Sequence, residues 1–112
     1  MSVSYLAAAA ELDVAIGTLA SLTERSTLMV VADHGGRGGA AHDHCTPHPE
    51  NDTIPLVFAG PGVRRGHIVA RPTSLLDLPP TVLWYFGAPI PECYGGRPLE
   101  EVFQRTAKPI GR

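Results

Sequence analysis

An α/β fold is the class this sequence predicts, and three features predict it. A helical stretch runs through a short polar connection into a strongly apolar strand. A second short apolar run follows a long loop, and a proline-started helix follows that. Helix, short turn, strand, then loop, strand and helix is the grammar of a chain that layers helices on a sheet.

Residues 4–24 are expected to form an amphipathic helix. Tyr5, Ala9, Leu12, Ile16, Leu19 and Thr23 recur at alternating spacings of four and three, which places them on one stripe. Asp13, Thr18 and Glu24 fall off that stripe. Residues 23–26 connect to a strand over residues 27–32, whose apolar run predicts burial on both faces and parallel-type pairing. Residues 33–53 form a loop rich in Gly, His and Pro, and long ordered loops in small domains are usually functional.

Residues 54–59, IPLVFA, are a second short apolar strand, and GPGVRRG at 60–66 is a turn. That turn is not a dinucleotide loop, because its last glycine is displaced and no helix follows. Residues 67–70 are expected to add a short edge strand. Residues 75–86 predict a helix with Asp77 as N-cap and Pro79 and Pro80 in the first turn, where missing N–H groups cost little. Gly87 is the expected stop signal. A last short helix is expected over residues 99–105. Two or three short strands leave edges unpaired and faces uncovered, so the chain is expected either to oligomerise or to be the end piece of a larger α/β domain.

Composition narrows the function classes. The chain has 112 residues, enough for one small domain or one partial domain, and 12 Gly and 11 Pro signal many turns. A formal charge of −2 gives no reason to expect a nucleic-acid polymer or a membrane surface as partner. No stretch is expected to span a bilayer, and the first residues lack the basic start of a signal peptide. Cys45 and Cys93 permit one disulfide, but nothing else suggests a disulfide framework.

The chemistry concentrates at residues 27–36, TLMVVADHGG. Asp33 and His34 stand where the first strand should end, at the edge where open α/β sheets bind ligands. A carboxylate and an imidazole are both good ligands for a divalent metal. The following loop adds His42, His44, Cys45 and His48. Asp33, His34 and His42 are the expected metal ligands; His44 and His48 are expected to be solvated loop residues. A compact structural zinc site over residues 42–48 would require one short loop to wrap the ion. HGG at 34–36 is similar to an esterase oxyanion loop, but the chain holds no G-x-S-x-G nucleophile elbow.

The succession DHGG, loop His, TIPLVFAGPGV, TSLLDLPPTVLWYFGAPIP and GRPL resembles the C-terminal part of the alkaline phosphatase superfamily over about residues 5–103. Within it the resemblance points to the type I phosphodiesterase and nucleotide pyrophosphatase branch, and to sulfatases. It implies that the chain is a piece of an α/β/α sandwich. It implies that Asp33 and His34 ligate one of two divalent metals, most readily zinc with manganese or iron as alternatives, and that His42 ligates the other. His42 lies one residue further from Asp33 than the family pattern has it, so His44 stays an alternative. Two such ions about 4 Å apart clamp a phosphoryl group and stabilise the leaving oxygen. Asp77, Pro80 and Thr81 match a helix-start motif, and the Gly60–Pro61–Gly62 turn matches another; both imply structural roles.

The resemblance also implies what to look for outside this sequence. The family's nucleophile precedes DHG by a long way, and no Ser or Thr here stands in that context. Cys45-Thr46-Pro47 is similar to the start of the sulfatase C-x-P-x-R motif, but Pro49 occupies the arginine position. The expected function is therefore part of a metal-dependent hydrolase of small phosphate esters. Alone it is expected to be inactive, and completed by a missing N-terminal portion or an oligomeric partner. The alternatives are the C-terminal part of a sulfatase, and a non-catalytic α/β module that binds a metal or a partner. His34 directly after Asp33, and the absence of lysine before Lys108, tilt the expectation toward phosphate esters. Relatives are often exported, but the sequence itself gives no location.

Overall fold

The computed structural model describes residues 3–22, 25–36 and 46–104. The element order is α1 (Val3–Leu22), β1 (Leu28–Val31), α2 (Pro49–Asp52), β2 (Leu56–Ala59), α3 (Leu78–Phe86), with 3-10 turns at Leu75–Asp77 and Glu100–Val102. The chain divides into two compact units, Met1–Pro61 and Gly62–Arg112. Among the described residues the predicted order of helix, strand, strand and helix is present, and the short helix α2 lies within the stretch expected to be loop.

In the first unit, α1 forms where four consecutive alanines and few branched residues favour helix. Thr18 and Ser21 turn their hydroxyls back onto the Val14 and Thr18 carbonyls at 3.0 and 2.7 Å, so neither breaks the helix. The single apolar stripe is not what organises it. Leu6 and Val14, off the predicted stripe, are exposed as fully as Tyr5 and Leu12 on it. Val3–Ser21, 19 residues with a mean hydropathy of 1.4, is long and apolar enough to cross a membrane, contrary to the sequence-based expectation. Asp13 near its midpoint opposes that use, at about 2.5–3.5 kcal/mol for an aspartate at a bilayer centre.

The two strands pair antiparallel, with Leu28 opposite Ala59 and Val31 opposite Leu56, which corrects the parallel-type expectation. An apolar run carries no direction. Direction is set by the connection, and a parallel pair needs a crossover that packs on the sheet. Here the Gly35 N–H donates to the Asn51 carbonyl at 2.7 Å, closing the loop at its base and returning the chain beside β1. Nor are the strands buried on both faces. β2 alternates half-buried and exposed residues, with Val57 54% exposed.

In the second unit, the helix start is capped by Ser74 rather than Asp77. Ser74 Oγ accepts from the Leu76 N–H at 3.2 Å, and Asp77 reaches back to the Ser74 N–H at 3.2 Å, forming a capping box. Asp77 is thereby placed to do more than cap. Its carboxylate accepts from Arg71 Nη1 at 3.0 Å and from the Arg97 N–H at 2.8 Å. The Thr81 hydroxyl donates to the Asp77 carbonyl at 2.6 Å and accepts from the Leu99 N–H at 2.9 Å. These bonds pin the GRPL segment to the start of α3 and make Leu99 fully buried. The structural role implied for Asp77, Pro80 and Thr81 is what these bonds provide. Gly87, with φ of 70°, ends α3 as expected.

Residues 67–70 form no strand. Instead Val63 bridges to Phe103, flanked by Arg64 N–H to Val102 O and Gln104 N–H to Gly62 O, both at 2.8 Å. Phe103 so anchored packs against Trp84 and Tyr85, ring centroids 5.4 and 5.1 Å away. The expected last helix shrinks to the turn at Glu100–Val102 because the chain then straightens into this bridge.

Candidate metal-binding site

β1 stops at Val31, and the next residues bend away from the sheet. Asp33 and His34 stand on that bend, open to solvent, with side chains 89% and 47% exposed. Asp33 Oδ1 accepts from the His34 N–H at 3.0 Å, a local turn that fixes the carboxylate. Its other oxygen, Oδ2, lies 3.8 Å from His34 Nε2. His34 Nδ1 is 2.7 Å from the Gly35 carbonyl. A carbonyl only accepts, so in the neutral ring Nδ1 carries the proton and Nε2 the lone pair. Metal-ligating histidines characteristically donate their other ring N–H to a carbonyl or carboxylate in this way.

The pair therefore passes a simple fit test for a divalent cation. An oxygen and a nitrogen 3.8 Å apart can share one ion, since metal–ligand bonds run about 2.0–2.6 Å. The carboxylate suits calcium, magnesium or manganese, and the imidazole suits zinc or iron. Among the described residues no group of three or more potential ligands converges. His42, His44 and Cys45 lie outside the described residues. His48 is not a solvated loop histidine. It is half-buried, and its Nδ1 accepts from the Glu50 N–H at 3.2 Å as the cap of α2. Cys93 is a free, exposed thiol.

Gly35 is required here by close approach. A Cβ at Gly35 would overlap the backbone carbonyl oxygen of Glu50 and stand 2.8 Å from that of Thr53. Backbone on that side cannot swing away as a side chain would. Gly35→Ala is expected to cost about 1–3 kcal/mol, as overpacking typically does, measured as a lower urea midpoint of this chain. An unchanged midpoint would show that α2 does not press on the site. No sequence pattern signals this close approach at Gly35, and none marks Asn51, because an asparagine in a polar loop belongs to no apolar periodicity.

Comparison with known proteins decides the family. The profile described as Sulfatase matches residues 3–88, most of the chain and all of the strand–DHGG–strand region.

The chain belongs to the sulfatase family.

It is 28% identical to human arylsulfatase K over 115 residues, covering 93% of this chain and 21% of the human protein. It is 32% identical to zebrafish (Danio rerio) arylsulfatase K over 111 residues, 92% of this chain and 21% of that protein. It is 38% identical to the sulfatase ppz1 of Metarhizium majus (strain ARSEF 297) over 58 residues, 52% of this chain and 14% of that protein. No solved structure matches the chain significantly. The sulfatase chain thus spans about a fifth of the length of the arylsulfatase K relatives. Membership supports the alkaline phosphatase-like superfamily, and it favours the sulfatase alternative over the phosphodiesterase branch. Sulfatases are hydrolases and generally use a divalent metal, calcium or magnesium, with a formylglycine. The match also begins within α1, so this apolar helix is part of the sulfatase domain.

Proposed function

We propose that this chain is a portion of a sulfate-ester hydrolase and supplies Asp33 and His34 to its cation site. The observation that carries the reading is the Sulfatase match across residues 3–88 with an exposed aspartate and histidine at the end of its first strand. The cation, when bound, neutralises and polarises an ester oxygen. Asp33 would hold it through Oδ2, and His34 through Nε2 with Nδ1 occupied by the Gly35 carbonyl. His42, or His44 in its place, remains a proposed further ligand. The two-zinc arrangement stays a proposal of the phosphodiesterase reading. The exposed apolar residues of α1 are proposed to dock against the remainder of the sulfatase domain. The chain's coverage of about a fifth of its relatives supports this.

A phosphodiesterase is the second reading, favoured by His34 beside Asp33 and by the lack of lysine before Lys108. The two separate on substrate. A catalytically complete form of the protein is expected to hydrolyse an aryl sulfate at least tenfold faster, by kcat/KM, than a bis-aryl phosphate, about 1.4 kcal/mol in transition-state binding. That activity is expected to vanish with a chelator and return with calcium or magnesium. Preferential turnover of the phosphodiester, restored by zinc, would overturn the sulfatase reading.

A further inference from the structure

We propose that Asn51 is a positioning residue for the cation site, acting through Gly35 on the His34 ring. The proposal rests on the reading of Asp33 and His34 as cation ligands. Among the described residues of the unit Met1–Pro61, Asn51 alone is buried, at 4% exposed, while the apolar strand residues around it are half-buried or exposed. A polar amide in the deepest position of so shallow a unit is costly unless its groups are bonded. They are bonded, and in two directions. The side-chain Nδ2 donates to the Thr46 carbonyl at 2.8 Å, and the main-chain carbonyl of the same residue accepts the Gly35 N–H at 2.7 Å. One residue therefore ties the position just after His34 to the returning side of the loop.

The series continues into the site. His34 Nδ1 meets the Gly35 carbonyl at 2.7 Å, and that contact selects the ring tautomer that points a lone pair from Nε2. Glycine has the freest backbone of any residue. Its carbonyl would rotate unless something held the peptide on its other side, and the Asn51 bond does so. The close fit of Gly35 against the Glu50 carbonyl limits the same rotation sterically. The effect of Asn51 is on where the imidazole sits.

Asn51→Leu keeps the side chain's size and the main-chain bond to Gly35, and removes the side-chain donor that anchors this main chain to Thr46. Two readouts on the full 112-residue chain test it. The affinity for manganese(II), measured by calorimetry, is expected to fall about 10–100-fold, the range found when an outer-shell partner of a metal ligand is lost. In metal-free protein the 15N signals of the neutral His34 ring are expected to shift from one tautomer to a mixture. Asn51→Asp, which cannot donate to Thr46, is expected to give the same ring change. It provides the answer if the leucine variant does not fold, and is read on the ring alone because its charge attracts cations. A folded variant with wild-type ring signals and wild-type manganese affinity would overturn the proposal. Unchanged manganese affinity in both Asp33→Ala and His34→Ala would instead overturn the site reading beneath it, with the ring signals still deciding what Asn51 does.

Discussion

Replacing Asp33 with alanine is expected to reduce sulfate-ester turnover by a catalytically complete form of the protein by more than 100-fold. Loss of an outer-shell partner already costs about 10–100-fold in metal affinity or activity. Asp33 is proposed as a direct ligand through Oδ2, so its removal would take away charge neutralisation as well as orientation. The same substitution is expected to leave stability within about 0.5 kcal/mol, because the side chain is exposed and makes only a local turn bond. The pairing of a large kinetic loss with an unmoved urea midpoint marks a functional residue. Normal turnover with a normal response to calcium or magnesium would remove Asp33 from the site. His34→Ala is expected to behave alike, with the loss partly recovered at raised cation concentration.

The largest stability effect is expected at Asp77. Its carboxylate is nearly buried and receives the Arg97 N–H, the Arg71 guanidinium and the Ser74 N–H, at 2.8, 3.0 and 3.2 Å. Arg71 also lies 3.4 Å from Glu101 and donates to the Arg97 carbonyl at 3.1 Å, so one ion pair holds the GRPL segment, the turn after it and the start of α3. Asp77→Ala would leave a largely buried guanidinium and two backbone donors without their acceptor. Breaking a buried pair from one side costs about 3–5 kcal/mol. Because Arg71 keeps some solvent contact, the lower end of that range is expected, read from urea or thermal unfolding.

A pH dependence follows with a definite sign. Burial by itself raises the Asp77 pKa. The hydrogen bonds from Arg97, Arg71 and Ser74, with the positive charge of Arg71, more than reverse this and hold it below the usual carboxylate value. A carboxylate lowered in the folded state contributes stability that is fully present above its unfolded pKa of about 3.9. That contribution is lost as pH falls through the folded value. Acid destabilisation of the wild-type chain is therefore expected to begin below about pH 4 and to be shallower in Asp77→Asn. Parallel acid profiles for the two chains would show that Asp77 is not the group responsible.

Much of this arrangement was legible in the residues. TLMVVADHGG announced a strand that ends in an aspartate and a histidine, and Asp33 and His34 stand there side by side. The prolines and Gly87 marked α3 within its first and last turns. DHGG with IPLVFAGPG and D-L-x-P-T pointed to the superfamily, and the family match favours the sulfatase alternative over the phosphate-ester reading that His34 and the missing lysines suggested. The less legible features were those that depend on residues distant in sequence. Asp77 looked like a cap because caps are local, yet its carboxylate reaches Arg97, whose approach no local pattern encodes.

The sequence by itself determined the two long helices and the two paired strands, where chemistry-bearing residues fall at a strand end, and the superfamily to which they belong. Those properties are written in short windows, as apolar spacing, proline and glycine positions and motif order. Only the tertiary structure decided that β1 and β2 run antiparallel, that Asn51 is the buried joint of the loop, and that α1 shows its apolar residues to solvent. Strand direction, burial and exposure are set by what the chain meets after it returns, and hydrophobic pattern is silent on which neighbour will be there.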